Sequence, residues 1–150
     1  MANVVPFSFK GELLSGTHNF ANGGDTFKIA LYNGTISATY TTSSTVVSTN
    51  DEVSSGGGSN YARKTLASQA VVATTATASV DFADVTWGAA TTGAATFTAN
   101  YAAIYNDDQG DKLVVVLDFH GAKTATNGDF TISFPDPSTA SNAIISLTSS

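Results

Sequence analysis

The chain is organised by short runs in which apolar and polar positions alternate. In DTFKIALY (25–32), Phe27, Ile29 and Leu31 share one side and Thr26, Lys28 and Tyr32 the other, the period of two that marks a half-buried strand. Asn22-Gly23-Gly24 before it and Asn33-Gly34 after it are turn signals. The same grammar recurs in ATASVDF (76–82), with Ala78, Val80 and Phe82 on one side, and in TFTANYAAIY (96–105), KLVVVLDF (112–119) and DFTISF (129–134). Residues 63–72, 85–87 and 143–147 complete about eight expected strands, with Pro135 and Pro137 breaking the chain before the last. Only PFSFKGELL (6–14) has helical spacing: Phe9, Leu13 and Leu14 fall near one face, and Gly16 can end the helix.

Between the first strand and the rest lies a stretch rich in Ser, Thr and Gly (35–59), ending in SSGGGS. It predicts a long surface loop with a weak edge strand at 44–48; a loop of that length in a compact domain is usually functional or mobile. The fold expected is all-β: a single-domain antiparallel β-sandwich of about eight strands with a short N-terminal helix and a long Ser/Thr/Gly loop. Residues 1–8 read as an N-terminal arm and 9–150 as the sandwich domain. No internal repeat of fixed period is evident.

Composition narrows the classes of function. A chain of 150 residues suits one domain. Charged residues make up only 12%, about half the usual share, and Thr, Ser, Ala, Gly and Asn stand in their place. That exchange suits β-structure with a neutral polar surface that lies against something else. The net charge is −6 and the six Lys and Arg are scattered, so no cluster exists to neutralise phosphates, and an anionic membrane is repelled. Neither nucleic acid nor membrane is an expected partner. The absence of cysteine excludes disulfides and cysteine-ligated metal sites. MANVVPFSFKGELL lacks a basic start followed by a long apolar run, so no signal peptide is expected. No apolar run approaches the roughly 18 residues a membrane span needs.

The candidate chemistry is sparse. NDDQGD (106–111) gathers Asn106, Asp107, Asp108 and Asp111, but a calcium loop closes on a bidentate Glu, and Lys112 stands there instead. The stretch reads as a hairpin turn in which Asn and Asp cap the backbone and Gly110 supplies the turn geometry. His18 and His120 lack any metal-ligand spacing and read as polar residues at element ends. No G-x-S-x-G elbow is present, and SGGGS lacks the context of a phosphate-binding loop. Asp81 with Asp84 could serve a glycan hydrolase only if they flanked a scissile bond in a cleft; Asp81, opposite Val80 and Phe82 in phase, reads as solvated. No catalytic residue, cofactor or metal is expected. Of nine Phe, five Tyr and one Trp, Phe27, Phe82, Phe130 and Phe134 take core phases, and Tyr40, Tyr61 and Tyr101 read as surface contacts.

The order of these runs resembles a family of small β-rich virion structural proteins of tailed bacteriophages. The resemblance is carried by FKGELLSGTHNFANGGDTFKIALY, the Thr-rich TTSSTVVSTNDEVSSGGGSNYARKTL, VTWGAATTGAATFTANYAAIYND, KLVVVLDF, TNGDFTISFPD and the terminal AIISLT, covering roughly residues 9–147. The departure is GGGSNYAR, where relatives often carry a G-T-G-Y-x-A-G-G pattern. The resemblance implies a non-enzymatic virion protein made in the host cytoplasm, a capsid decoration (cement) protein that binds across major capsid protein subunits, with copies of itself as a further partner. A tail, baseplate or fibre position, or a receptor- or sugar-contacting module, is the alternative. In the decoration reading the arm and the 35–60 loop are the adaptable contacts. Phe7, Phe9, Tyr40 and Tyr61 are the candidate anchors, since aromatic residues dominate interface hot spots.

Overall fold

The computed structural model describes residues 3–91, 93–135 and 143–148; Met1 and Ala2 of the arm, and Pro137, lie outside the described residues. Among them are helix α1 (Phe7–Leu14), the one-turn helix α2 (Ile36–Thr39) and nine strands. The strands are β1 (Phe27–Tyr32), β2 (Lys64–Thr65), β3 (Ala70–Ala73), β4 (Thr77–Asp81), β5 (Val85–Trp87), β6 (Ala95–Asn106), β7 (Lys112–Gly128), β8 (Phe130–Ile132) and β9 (Ile145–Thr148). They form three sheets of order β2-β1-β6-β7, β3-β4-β9 and β5-β8, and every pairing is antiparallel. The protein is thus mostly β with a short N-terminal helix, as the alternation predicts. One prediction needs splitting: 63–72 is not one strand but β2 and β3, parted at Ser68, whose φ is 55°.

The main core takes side chains from all three sheets: Phe27, Ile29, Leu31 and Ile104 from the first, Val80 from the second, and Val85, Trp87 and Phe130 from the third. Helix α1 closes one side of it. Pro6 precedes the helix with the fixed φ that suits its first turn, and Gly16, at φ 72°, ends it. Phe9 is buried and Leu13 half-buried, but Leu14 is 91% exposed, against the expectation that all three share a face. At about 100° per residue, Leu14 stands some 140° round the helix from Phe9, whereas Leu13 stands about 40° from it.

Strand β1 is not half-buried. Phe27, Ile29 and Leu31 face the main core, but Ala30 and Tyr32 are equally buried in a second cluster with Ile36, Tyr40, Tyr101, Tyr105, Leu113 and Val116. The cause is the segment predicted to be a surface loop. It folds back over the outer face of β1, β6 and β7, placing Ile36 and Tyr40 against it. Its expected edge strand is realised as an isolated bridge, Val46 to Lys112, flanked by hydrogen bonds from Val47 N to Asp111 O and from Leu113 N to Thr45 O. Further along β7, Val4 and Val116 exchange both backbone hydrogen bonds, at 2.9 and 2.8 Å. The outer edge of β7 is therefore partnered at both places, which blunts its tendency to pair with other chains.

The β6–β7 hairpin turns through NDDQGD, with Gly110 at φ 71° and Asp111 at φ 61°. Farther along, Ala99 pairs with Lys123 and Tyr101 with Asp118, so β7 spends three more residues than β6 over that interval. The excess is the bulge at FHGA (119–122), where His120 has φ 54° and Gly121 φ 126°.

Candidate functional site

Of the four aromatic anchors expected from sequence, only Phe7 presents its ring to solvent, at 63% exposure. Phe9, Tyr40 and Tyr61 are at most 5% exposed and act as core residues, and so does Tyr101. Their burial has an identifiable cause in each case. Phe9 faces His18 and Phe20, with ring centroids 5.2 and 6.2 Å away, because it is the inward residue of α1. Tyr40 closes a three-membered hydrogen-bond ring. Ser48 N donates to its hydroxyl at 2.7 Å, that hydroxyl donates to the Tyr32 hydroxyl at 2.8 Å, and Tyr32 donates to Ser48 O at 2.7 Å. Tyr32 also stacks on Tyr101, centroids 4.9 Å apart. Burial pushes the Tyr40 phenol up to about 12 and the Tyr32 phenol higher still, so both stay neutral donors.

Tyr61 serves the edge of β1. That strand pairs with β2 only at Lys28 and Ile29. Beyond that, the Tyr61 hydroxyl accepts from Leu31 N at 3.0 Å and donates to Glu52 Oε1 at 2.8 Å. A side-chain oxygen thus stands where a strand carbonyl would. Arg63 grips the same carboxylate in bidentate fashion, Nε to Oε1 at 2.9 Å and a terminal nitrogen to Oε2 at 2.8 Å, and lies 5.3 Å over the Tyr105 ring. The Glu52 carboxylate raises the Arg63 pKa despite partial burial.

The second polar cluster joins α1 to the β6–β7 hairpin. His18, whose side chain is fully buried, places Nε2 3.0 Å from Glu12 Oε2 and Nδ1 3.0 Å from Asn106 Nδ2. The Asn106 nitrogen also donates to Asp25 Oδ2 at 2.7 Å. An amide nitrogen can only donate, so His18 Nδ1 accepts and the ring proton sits on Nε2, given to Glu12. Lys112 Nζ completes the cluster at 2.5 Å from Glu12 Oε1. Burial pushes Glu12 up, but hydrogen bonds from Lys112 and His18 outweigh it and leave its carboxyl below the usual value. Asp25 behaves alike: burial raises it, and bonds from Asn19 N and Asn106 lower it further than that. Sequence reading missed this cluster because His18 and Asn106 stand 88 residues apart.

Other acidic candidates bind a backbone N–H or a lysine. Asp108 accepts from Thr26 N at 2.7 Å, Asp107 pairs with Lys28 at 2.8 Å, and Asp84 accepts from Phe134 N at 2.8 Å. Asp81, expected to be solvated, is buried at 5% exposure. His120 stands exposed on the bulge, its side chain 75% accessible. Among the described residues no three His, Asp or Glu converge as a metal site.

The chain matches no protein-family model, no curated protein and no solved structure. The geometry is therefore the ground for any reading. Among the described residues it joins polar side chains into two structural braces, one around Glu52 and one around His18. The surface features that stand out are apolar: Phe7, Leu14, Val46, Val71 and Leu147 are the exposed large hydrophobic residues among those described.

Proposed function

We propose that this protein is a non-enzymatic virion structural protein, most simply a capsid decoration protein that binds across major capsid protein subunits and stabilises the expanded head. The observation that carries the reading is the commitment of the polar side chains. Glu12, His18, Asp25, Asn106 and Lys112 tie α1 to the hairpin, and Glu52, Tyr61 and Arg63 tie the covering loop to β1. Such bracing makes a rigid body, which is what a protein acting by binding energy alone requires. The order of sequence motifs supports the phage assignment, and the neutral polar composition supports a surface meant for contact. In the same reading, the three sheets are the layers of an antiparallel β-sandwich.

A decoration protein that prefers the expanded lattice stabilises it by mass action, and many symmetry-related copies multiply a modest individual effect. The arm before α1 and the 35–53 segment lie side by side over β7, so a partner reaching one meets the other. Of the aromatic anchors expected from the sequence, Phe7, at the start of α1, is the one that is exposed. The experiment is to add the purified chain to expanded and unexpanded shells and image the particles. Copies at fixed positions bridging subunits of expanded shells alone support the reading. Density confined to the tail or fibre tips, or equal binding to both shells, overturns it.

A further inference from the structure

The five exposed large apolar residues are not scattered. Phe7 and Leu14 occupy the two ends of α1. Val46 belongs to the segment beside it: Phe7 N donates to Thr42 O, Ser8 Oγ donates to Ser44 O, and the Val46 bridge partner Lys112 is bonded to Glu12 of α1. Val71 and Leu147 rim the other flank, where Leu13 of α1, Phe20, Val80 and Ile145 join them around a recess of about 310 Å³. Among the described residues, the large apolar side chains that the fold leaves in water therefore gather on and beside α1. Contiguous exposure of this kind marks an interaction surface, whereas isolated exposed residues do not.

The charge distribution says what covers it. Helix α1, residues 42–46, β3 and β9 together hold one lysine and one glutamate, Lys10 and Glu12, and so carry no net charge. The whole −6 of the chain lies elsewhere. Glu12 is neutralised by Lys112, and the Lys10 ammonium sits 5.4 Å over the ring of Phe7. Two copies each carrying −6 repel overall. Through this face they meet without opposing charge and leave their acidic surfaces outward.

We propose that the α1 face is a self-association surface that joins two copies of this chain about a two-fold axis. The contact is isologous: the helix ends of one copy cover the recess beside Leu13 of the other. Because residual repulsion comes from charges outside the contact, salt strengthens the dimer by screening them. This inference stands apart from the virion reading, since a dimer in solution is observed without any particle.

The test is sedimentation velocity on the full chain from sub-micromolar to near-millimolar concentration, at low and high salt. A concentration-dependent dimer that tightens with salt is expected. Leu14→Glu and Leu147→Glu are each expected to weaken it at least tenfold, while Ala90→Glu, in the exposed turn after β5, leaves it unchanged. Unaltered Trp87 fluorescence shows that the variants are folded. A chain monomeric throughout, a dimer that loosens with salt, or one indifferent to both Leu14→Glu and Leu147→Glu overturns the proposal.

Discussion

Replacing Tyr61 by Phe removes one oxygen and keeps the ring. The ring continues to pack against Trp87 and Phe97, whose centroids lie 6.4 and 5.8 Å away, so no core cavity opens. Two hydrogen bonds disappear. Leu31 N, fully buried in β1, loses its acceptor, and an unsatisfied buried donor costs about 1–3 kcal/mol. Glu52 loses one donor but keeps Arg63, so this second loss sits at the low end of the about 1.5–3 kcal/mol of a bond to a charged group. Water reaching the vacated site offsets part of both, and about 2–4 kcal/mol is the expected destabilisation. With a urea m-value of about 2 kcal/mol/M for a domain of this size, the midpoint falls by about 1–2 M. The sole tryptophan, Trp87, is buried beside Tyr61 and reports the transition by fluorescence. Phe7→Ala in parallel is expected to cost under about 0.5 kcal/mol, since that ring is mostly in water. A Tyr61→Phe midpoint within about 0.3 M of the parent, at unchanged m, would refute the idea that the hydroxyl closes the β1 edge.

Acid unfolding should begin at the α1 brace. Glu12 and Asp25 have folded pKa values below the ordinary carboxylate value, so their stabilisation is complete at neutral pH and lost as pH falls through the folded values. Melting temperature should drop on acidification, and less so in the double variant Glu12→Gln/Asp25→Asn; parallel curves would count against the brace. In alkali the sign reverses. Burial raises the phenols of Tyr32, Tyr40, Tyr61, Tyr101 and Tyr105, so their contribution is intact below pH about 10 and lost above it. Phenolate absorbance should therefore rise in one step with unfolding, and a gradual rise in a still-folded chain would contradict the buried tyrosine cluster. Gly24→Ala should cost more than 1 kcal/mol, roughly, because the new methyl meets the backbone carbonyl of Asn19, which cannot swing away as a side chain can. Chemical denaturation measures it, and a neutral outcome would show that the 19–25 turn yields.

The strands were legible because alternation is a local signal, and β1, β4, β5, β6, the start of β7 and β8 fall where it places them. What alternation cannot report is what lies on the far side of a sheet. Tyr32 and Lys28 occupy the same phase of β1, yet Tyr32 is wholly buried and Lys28 is not. The difference is made by Ile36 and Tyr40, two apolar side chains within a Ser/Thr-rich stretch whose average composition hides them. The same averaging misplaced Tyr40, Tyr61 and Tyr101 on the surface. A tyrosine satisfies its hydroxyl as well inside as outside when a backbone group is in reach, and neither Ser48 nor Leu31 is near its tyrosine in a way that a local pattern reveals. The His18 brace is long-range as well, its Asn106 and Lys112 partners lying 88 and 100 residues from His18 and Glu12.

The two apolar faces of the first sheet also bear on the virion reading. The first sheet is covered on one side by the main core and, over β1 and the adjoining parts of β6 and β7, on the other by the 35–53 segment; β7 has Val4 and Val46 paired along its outer edge, while its second half stays exposed. The covering elements then offer surface of their own for contacts with other molecules. The helix is the one covering element with a large apolar residue exposed at each end, and both Phe7 and Leu14 could be polar at no cost to the packing of Phe9. Replacing both by glutamine therefore separates folding from association. If the pair served only stability, the double variant would unfold more readily and still associate. If α1 is the outward contact, the double variant keeps its unfolding free energy within about 0.5 kcal/mol at concentrations where the parent is monomeric, and loses self-association.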